Sequence, residues 1–190
     1  MEISPFVLFS TSSADVLWSW DFTELPNEWL ANEYWDFSDS GAHSYVSATT
    51  SGPYSVTQTS EMFSDTLTVP PSVSLITVVL TSEKDYDGWW STGESYCSLW
   101  ARLGVVGGEL TTLEFDSHSW GFDGYHGEPV SAEIDIPVNG NDLIYLTFRS
   151  QASSSYGAYA MMDWLINDIT ISADMSSLEK YSWGEIKSSF

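Results

Sequence analysis

Apolar and polar residues alternate along most of this chain, and the alternating runs are rich in β-branched and aromatic side chains. A period of two is typical of strands with one buried face, whereas the 3.6-residue period of helices is almost absent. Clusters of Gly, Pro, Ser and Asn separate the runs, as turns do. The pattern predicts an all-β, two-sheet sandwich. Its strands are expected at 16–22, 44–49, 62–69, 72–82, 96–106, 109–116, 130–136, 142–150 and 161–172.

The period of two also assigns faces to several strands. The runs 96–106, 130–136 and 142–150 each place small or aliphatic residues on one side, which predicts a shared inner face. The run 72–82 has little polarity on either side, so we expect a central strand that is covered on both faces. The outer face of the other three runs would carry Trp100, Arg102, Glu133, Asp135, Tyr145 and Arg149.

Two segments interrupt the alternation, at 82–95 and 117–129, and both are rich in Trp, Tyr, His and acidic residues. We interpret them as loops, and loops carry binding residues more often than strands do. Their aromatic side chains are candidate ligand contacts. Those candidates are Trp89, Trp90, Trp120 and Tyr125.

Flat aromatic rings beside charged groups are suited to sugars, because rings stack on the apolar side of a pyranose while charged groups bind its hydroxyls. The candidates on the predicted strands are Trp100, Arg102, Tyr145 and Arg149. The competing interpretation is structural: the two arginines pair with Glu133 and Asp135 across neighbouring strands and only stabilise the sheet.

The charge of the chain narrows the classes of partner. It has 190 residues, of which 5 are Lys or Arg and 27 are Asp or Glu, for a net charge of −22. Such a chain repels nucleic acid and anionic lipid, and its oxygens suit hard cations such as calcium. No stretch has the roughly 18 apolar residues of a membrane span. We therefore expect neither a nucleic-acid partner nor membrane insertion.

The composition predicts one sandwich at 15–172, flanked by two short segments. Residues 1–14 resemble a shortened signal peptide, with the apolar run "PFVLF" and small residues after it. Residues 173–190 form a polar linker and tail in which Trp183, Ile186 and Phe190 would share one side of a helical turn. That tail is a candidate attachment to a larger assembly.

Enzyme motifs are incomplete in this sequence. "EIDI" at 133–136 resembles the catalytic strand of laminarinase-like family 16 glycoside hydrolases, but Pro137 and Val138 stand where a second Glu is needed. Retaining hydrolysis requires two carboxyl groups. The three histidines have no metal-like spacing, and the single Cys97 falls on an apolar strand face, where a thiol is inert. We therefore expect a protein that is not an enzyme.

A longer series of motifs resembles the MAM-like jelly rolls of bacterial secreted proteins, in particular choice-of-anchor J domains. "WDFTELPNEW" (20–29) is similar to their opening, "DSGAHSYVSA" (39–48) to a Gly-rich turn before a strand, and 132–171 to their closing strands. The resemblance covers about 18–172. It implies a two-sheet antiparallel jelly roll of the concanavalin or MAM-like type, in a secreted or cell-surface adhesion or ligand-binding module without catalysis.

The same resemblance implies a structural cation, Ca²⁺, that ties the first strand to the last. By position its ligands would be Asp21, Glu24 and Asp168. The chain departs from the family at Thr23, where a Glu is expected, and at Asn167, where the first Asp of a pair is expected.

The stretch "YAMMDWLINDITI" (159–171) cannot put all its polar side chains on one side of a regular strand. Either a bulge resets the alternation near Asn167, or Asp168 is held inside by a cation or hydrogen bonds, and we favour the second. Asp163 is interpreted as a solvated residue at the strand entry.

Three functions remain open. The first is an extracellular binding module for glycans or a cell-surface protein. The second is a structural or assembly protein that uses its tail, and the third is a glycoside hydrolase with the incomplete motif at 133–136.

Overall fold

A computed structural model describes residues 14–89, 93–119, 125–126 and 130–174 of the chain. The described residues form thirteen strands and no helix. The strands are β1 (Asp15–Trp20), β2 (Trp29–Ala31), β3 (Trp35–Ser38), β4 (Gly41–Thr49), β5 (Ser55–Ser64), β6 (Leu67–Thr68), β7 (Leu75–Trp89), β8 (Ser95–Val105), β9 (Leu110–Ser119), β10 (Tyr125–His126), β11 (Val130–Pro137), β12 (Leu143–Ser155) and β13 (Tyr159–Ala173). No helix in the described ranges is long and apolar enough to cross a membrane.

The strands form two antiparallel sheets. Sheet A has the order β10–β7–β13–β4–β3, with β11 on the same side of β7 as β10 and with β1 paired to β13. Sheet B has the order β2–β5–β12–β8–β9, with β6 paired to β12. The sheets interleave in sequence: β4, β7, β11 and β13 lie in one, and β5, β8, β9 and β12 lie in the other. This is the strand order of a jelly roll, and the predicted fold class is confirmed.

The core lies between the sheets and contains the inner residues of β4, β7, β8, β12 and β13. The predicted inner faces of β8 and β12 are confirmed, since Leu99, Leu146 and Phe148 are at most 1% exposed. The opening motif supplies aromatic packing. Phe22, at a φ of 55°, turns inward and its ring lies 5.1 Å from that of Trp29, edge to face.

The described residues of the two segments interpreted as loops are mainly in strands. β7 continues to Trp89, β9 continues to Ser119, and β10 lies within the second segment. Charged residues in 82–95 interrupt the apolar pattern that predicts a strand. They occur because one side of this part of β7 faces solvent and the other contacts charged residues of β9. The strand is central, as predicted, but its outer side is half-exposed rather than covered. The short strands β2 and β3 were not predicted.

The placement of β11 differs from the prediction. It pairs with β7 in sheet A over its whole length, whereas β8 and β12 lie in sheet B. Glu133 and Asp135 are therefore on the other sheet from the two arginines. Alternation along a strand assigns its faces but carries no information about which strand lies beside it.

β13 has a bulge at Asn167. Its register against β7 shifts between Ile166 and Asp168, so Ile166 and Ile169 both point into the core. Asn167 and Asp168 are both half-buried. The bulge alternative is therefore confirmed, and the favoured alternative, in which Asp168 is held inside the core, is wrong. At this point the partner on the second edge of β13 changes from β4 to β1.

Candidate functional site

The outer side of sheet A carries aromatic and acidic side chains in register on β4, β13 and β7. We call this surface the sheet A face. Its four cross-strand rows are Thr49–Tyr159–Trp89, Ser47–Met161–Asp87, Tyr45–Asp163–Asp85 and His43–Leu165–Glu83. Along β13 the rows extend over about 20 Å, at the usual rise of a strand. The face is long enough for an extended ligand.

One end of the sheet A face is aromatic and open to solvent. Trp89, in the first row, is 55% exposed, and Tyr45, two rows further along, is 47% exposed. The pKa of Tyr159 is raised to about 12, because burial disfavours its charged form and its hydroxyl is hydrogen-bonded to that of Tyr45. The Tyr159 hydroxyl therefore stays protonated at neutral pH, and it presents a donor and an acceptor beside the indole ring.

The other end of the face opens into a cavity of about 450 Å³. Its lining includes three acidic residues and is otherwise mainly polar: Ser38, Ser40, His43, Glu83, Lys84, Asp85, Asp163 and Leu165. The turn between β3 and β4 forms one wall. Gly41 makes this wall possible, because at its φ of 124° a Cβ would clash with the carbonyl oxygen of Ile166.

Asp163 and His43 form an ion pair at this cavity, between Nε2 of His43 and Oδ1 of Asp163. Asp163 is thus not a solvated strand entry, since it lies within β13 and faces β4. The hydrogen bond to Asp163 raises the pKa of His43 above its ordinary value, although partial burial opposes the shift. The cavity therefore contains a histidine that is charged over a wider pH range than usual.

Replacing Asp163 by Asn is expected to lower the pKa of His43, which an NMR titration of its imidazole would measure. The raised pKa of His43 contributes stability that is present below the unfolded pKa and is lost as pH rises through the folded one. The destabilisation by D163N should therefore be larger at pH 5 than at pH 8. An unchanged His43 titration in D163N would contradict this assignment, and H43Q should remove the pH dependence of the D163N effect.

The outer side of sheet B carries the four candidates predicted on strands. We call it the sheet B face. Trp100 is the cross-strand neighbour of Arg149, and Arg102 is that of Thr147. The guanidinium carbons of Arg102 and Arg149 lie 5.2 and 4.8 Å from the centroid of the Trp100 ring. Tyr145 pairs with Gly104 in the same two strands.

The acidic partners predicted for the arginines were wrong. Arg149 Nε lies 3.5 Å from Oε1 of Glu61 on β5. Asp135 instead accepts a hydrogen bond of 2.7 Å from the Thr77 hydroxyl in sheet A. Neither Glu133 nor Asp135 lines the cavity on the sheet A face.

The remaining aromatic candidates are divided between sheet A and undescribed segments. Trp89 lies at the end of β7 on the sheet A face. Tyr125 pairs through its backbone with Tyr86 of β7. Trp90 and Trp120 lie outside the described residues, as do residues 1–13 and the tail from 175 onward.

An ionic cluster between the sheets, which sequence reasoning missed, joins β7 to β9. Lys84 Nζ lies 3.1 Å from Oε1 of Glu114 and 3.1 Å from Oδ2 of Asp116. The hydroxyl of Ser82 donates to Glu114 over 2.7 Å, and that of Tyr86 donates to Asp116. The sequence did contain a signal for the β7 half of the cluster, because residues 82, 84 and 86 alternate and so share one side of a strand.

The electrostatics of the cluster favour its charged forms. Burial would lower the pKa of Lys84, but the carboxylates of Glu114 and Asp116 outweigh it, and the pKa is raised. Burial would raise the pKa of Asp116, but the hydrogen bonds from Tyr86 and Lys84 outweigh it, and the pKa is lowered. The cluster thus links the two sheets through one cation, Lys84, and two carboxylates, those of Glu114 and Asp116. The Cys97 thiol is different: it is buried, and burial raises its pKa to about 12.

The predicted calcium ligands occupy the junction of β1 and β13. Asp21 follows Trp20, which pairs with Ile169, and so Asp21 lies beside the Asp168 position. Oδ1 of Asp21 accepts hydrogen bonds of 3.2 Å from the amide and hydroxyl of Thr23. Glu24 lines a small cavity with Asp21. Across the described part of the chain, no group of three or more His, Cys, Asp or Glu is arranged to hold a metal ion. Calcium binding stays a prediction.

No protein-family model matches the chain, and no curated protein matches it significantly in sequence. Solved structures are similar in fold. The N-terminal cellulose-binding domain of β-1,4-glucanase C from Cellulomonas fimi is 15% identical with a TM-score of 0.41, over 82% of this chain and 96% of that one. The K1 cleaved adhesin domain of Lys-gingipain from Porphyromonas gingivalis is 14% identical with a TM-score of 0.38, over 82% and 97%.

A third similar structure is the C-terminal family 22 carbohydrate-binding module of Clostridium thermocellum Xyn10B. It is 9% identical with a TM-score of 0.35, over 84% of this chain and 95% of that one. At these identities and TM-scores, the similarity assigns the chain to no family and identifies no ligand for it. The resemblance to MAM-like domains stays a prediction.

Proposed function

We propose that this protein is a non-catalytic glycan-binding module and that the sheet A face is its ligand surface. The observation that carries the proposal is the order of the face: an exposed tryptophan and Tyr159 in the first row, carboxylates in each of the next three rows with Tyr45 and His43 among them, and a cavity at the far end. Aromatic rings hold the apolar side of a sugar ring, and carboxylates accept hydrogen bonds from its hydroxyls.

The charge of the face selects among glycans. Glu83, Asp85, Asp87 and Asp163 lie within three neighbouring rows, with His43 opposite Leu165. Anionic sugars would bring further negative charge to these carboxylates, which disfavours binding. Neutral polysaccharide is therefore the proposed ligand class for this face. A module of this kind acts where polysaccharide is accessible, so the proposal includes a secreted or cell-surface location.

Trp89→Ala is the variant that tests the proposed ligand surface. Loss of the indole ring removes a stacking platform, and we expect affinity for a neutral oligosaccharide to fall about tenfold or more, equivalent to at least about 1.4 kcal/mol. Isothermal titration calorimetry with cellohexaose, xylohexaose and mannohexaose would measure it.

Phe115→Ala is the matched control, because Phe115 is 59% exposed against 55% for Trp89 but lies on sheet B. Affinity should be unchanged in this variant. If none of the three neutral hexasaccharides binds the full chain, or if W89A and F115A lose affinity equally, the proposal is wrong.

A further inference from the structure

The chain has two arginines, Arg102 and Arg149, and both pack against one tryptophan on the sheet B face. Within the described ranges the third basic side chain other than histidine, Lys84, is held in the ionic cluster between the sheets. The sheet B face is thus a local positive patch on a protein of net charge −22.

Intramolecular partners leave much of the arginine hydrogen-bonding capacity unused. In the part of the chain that the structure describes, no carboxylate pairs with Arg102, whose contact is the Trp100 ring. Arg149 has the ion pair with Glu61 at 3.5 Å and a long hydrogen bond of 3.4 Å to Gln151. Its Nε is buried and donates no hydrogen bond among the described residues. A guanidinium has five N–H donors, so both groups retain donors for a ligand.

The surroundings of the arginines add flat rings at the same surface. Trp100 is half-exposed, and its cross-strand neighbour Phe115 is 59% exposed. Tyr145 covers Gly104, where any Cβ would clash with its ring, so the phenol lies against the sheet instead of standing away from it. The patch therefore combines stacking surfaces with forked cationic donors.

We propose that the sheet B face is a second binding site and that it takes carboxylate-bearing sugars, the uronate units of acidic glycans. A planar guanidinium binds a carboxylate through two parallel hydrogen bonds, and the nearby rings accept the sugar ring. The net charge of −22 opposes an anionic ligand, but physiological salt limits that repulsion to about 8 Å, so contact ion pairs decide the affinity. The exposed Glu61 pair is weak and yields to the ligand.

This site lies on the opposite sheet from the proposed neutral-glycan surface, so the two are tested with different ligands and different variants. The probes are trigalacturonate and trimannuronate, titrated into the full chain and followed by calorimetry and tryptophan fluorescence. We expect one of the two to bind. R102Q and R149Q should each weaken that binding about tenfold or more, and W89A should not change it.

Three controls separate ion pairing from general charge and from misfolding. K187Q makes the same change in net charge in the C-terminal segment and should bind normally. The fully methyl-esterified trisaccharide should not bind. R149K keeps the charge but loses the two parallel N–H donors of the guanidinium. Its affinity for the trisaccharide should therefore still be reduced, while its thermal unfolding midpoint matches that of the wild type. The proposal is overturned if neither trisaccharide binds, if the ester binds equally well, or if R102Q and R149Q retain full affinity.

Discussion

Lys84→Met is expected to lower the free energy of unfolding by about 3 kcal/mol at neutral pH. The substitution leaves two carboxylates of β9 without their cation, in a place where the Glu114 side chain is 9% exposed and that of Asp116 is 28% exposed. Removing one partner of a buried ionic group costs more than the pair contributes, because the remaining charge stays desolvated. Urea unfolding followed by tryptophan fluorescence would measure the loss.

The pH dependence of this loss identifies its cause. The lowered pKa of Asp116 contributes stability that is present above the unfolded value, about 4, and is lost as pH falls through the folded pKa. The raised pKa of Lys84 contributes stability that is present below about 10 and is lost as pH rises through its folded pKa. The difference between wild type and K84M should therefore be largest near pH 7 and shrink towards pH 3. A loss of equal size at both pH values, or a similar loss in the charge-matched K187M, would contradict the assignment.

Trp164→Ala is expected to cost about 4 kcal/mol of unfolding free energy, within the range for buried aromatic residues. Trp164 lies in β13 and is 0% exposed. Its ring centroid lies 6.0 Å from that of Trp35 and 5.8 Å from that of Phe148 in sheet B. The side chain therefore spans the core between the sheets. Its removal leaves a cavity that the two hydrogen-bonded sheets cannot close by moving together.

Trp164→Phe provides the comparison. In the described structure Nε1 of Trp164 has no hydrogen-bond partner, so the phenyl variant loses volume but also removes a buried, unpaired N–H group. We expect W164F to lose clearly less stability than W164A, measured by the urea midpoint. Equal losses in the two variants would show that the indole volume does not carry the stability of this region.

The sequence predicted what depends on neighbours along the chain. Alternation identified the inner sides of β8 and β12, and the impossibility of one register for Asp163, Asn167 and Asp168 pointed to the bulge as one of two solutions. These features follow from local geometry, in which each residue on a strand constrains the next.

Features that depend on which strands become neighbours could not be predicted in the same way. Trp89, Tyr159 and Tyr45 come from three strands whose order in the sheet is not contained in their own alternation. Lys84 was assigned to a loop because its charge broke the apolar pattern, and only its partners on β9 explain a cation on an inner side. The placement of β11 in sheet A is a further case.

The bulge at Asn167 has a consequence for how this chain tolerates change in length. It is the point at which β13 passes from pairing with β4 to pairing with β1. Deleting this one residue would give unbroken alternation along β13, with Ile166, Ile169 and Ile171 still pointing into the core. A one-residue deletion at the bulge therefore keeps both halves of β13 in their present orientation, whereas a regular strand that loses one residue turns every later side chain to the opposite face. The bulge is therefore the point in β13 where the chain can lose one residue without reversing either half of the strand.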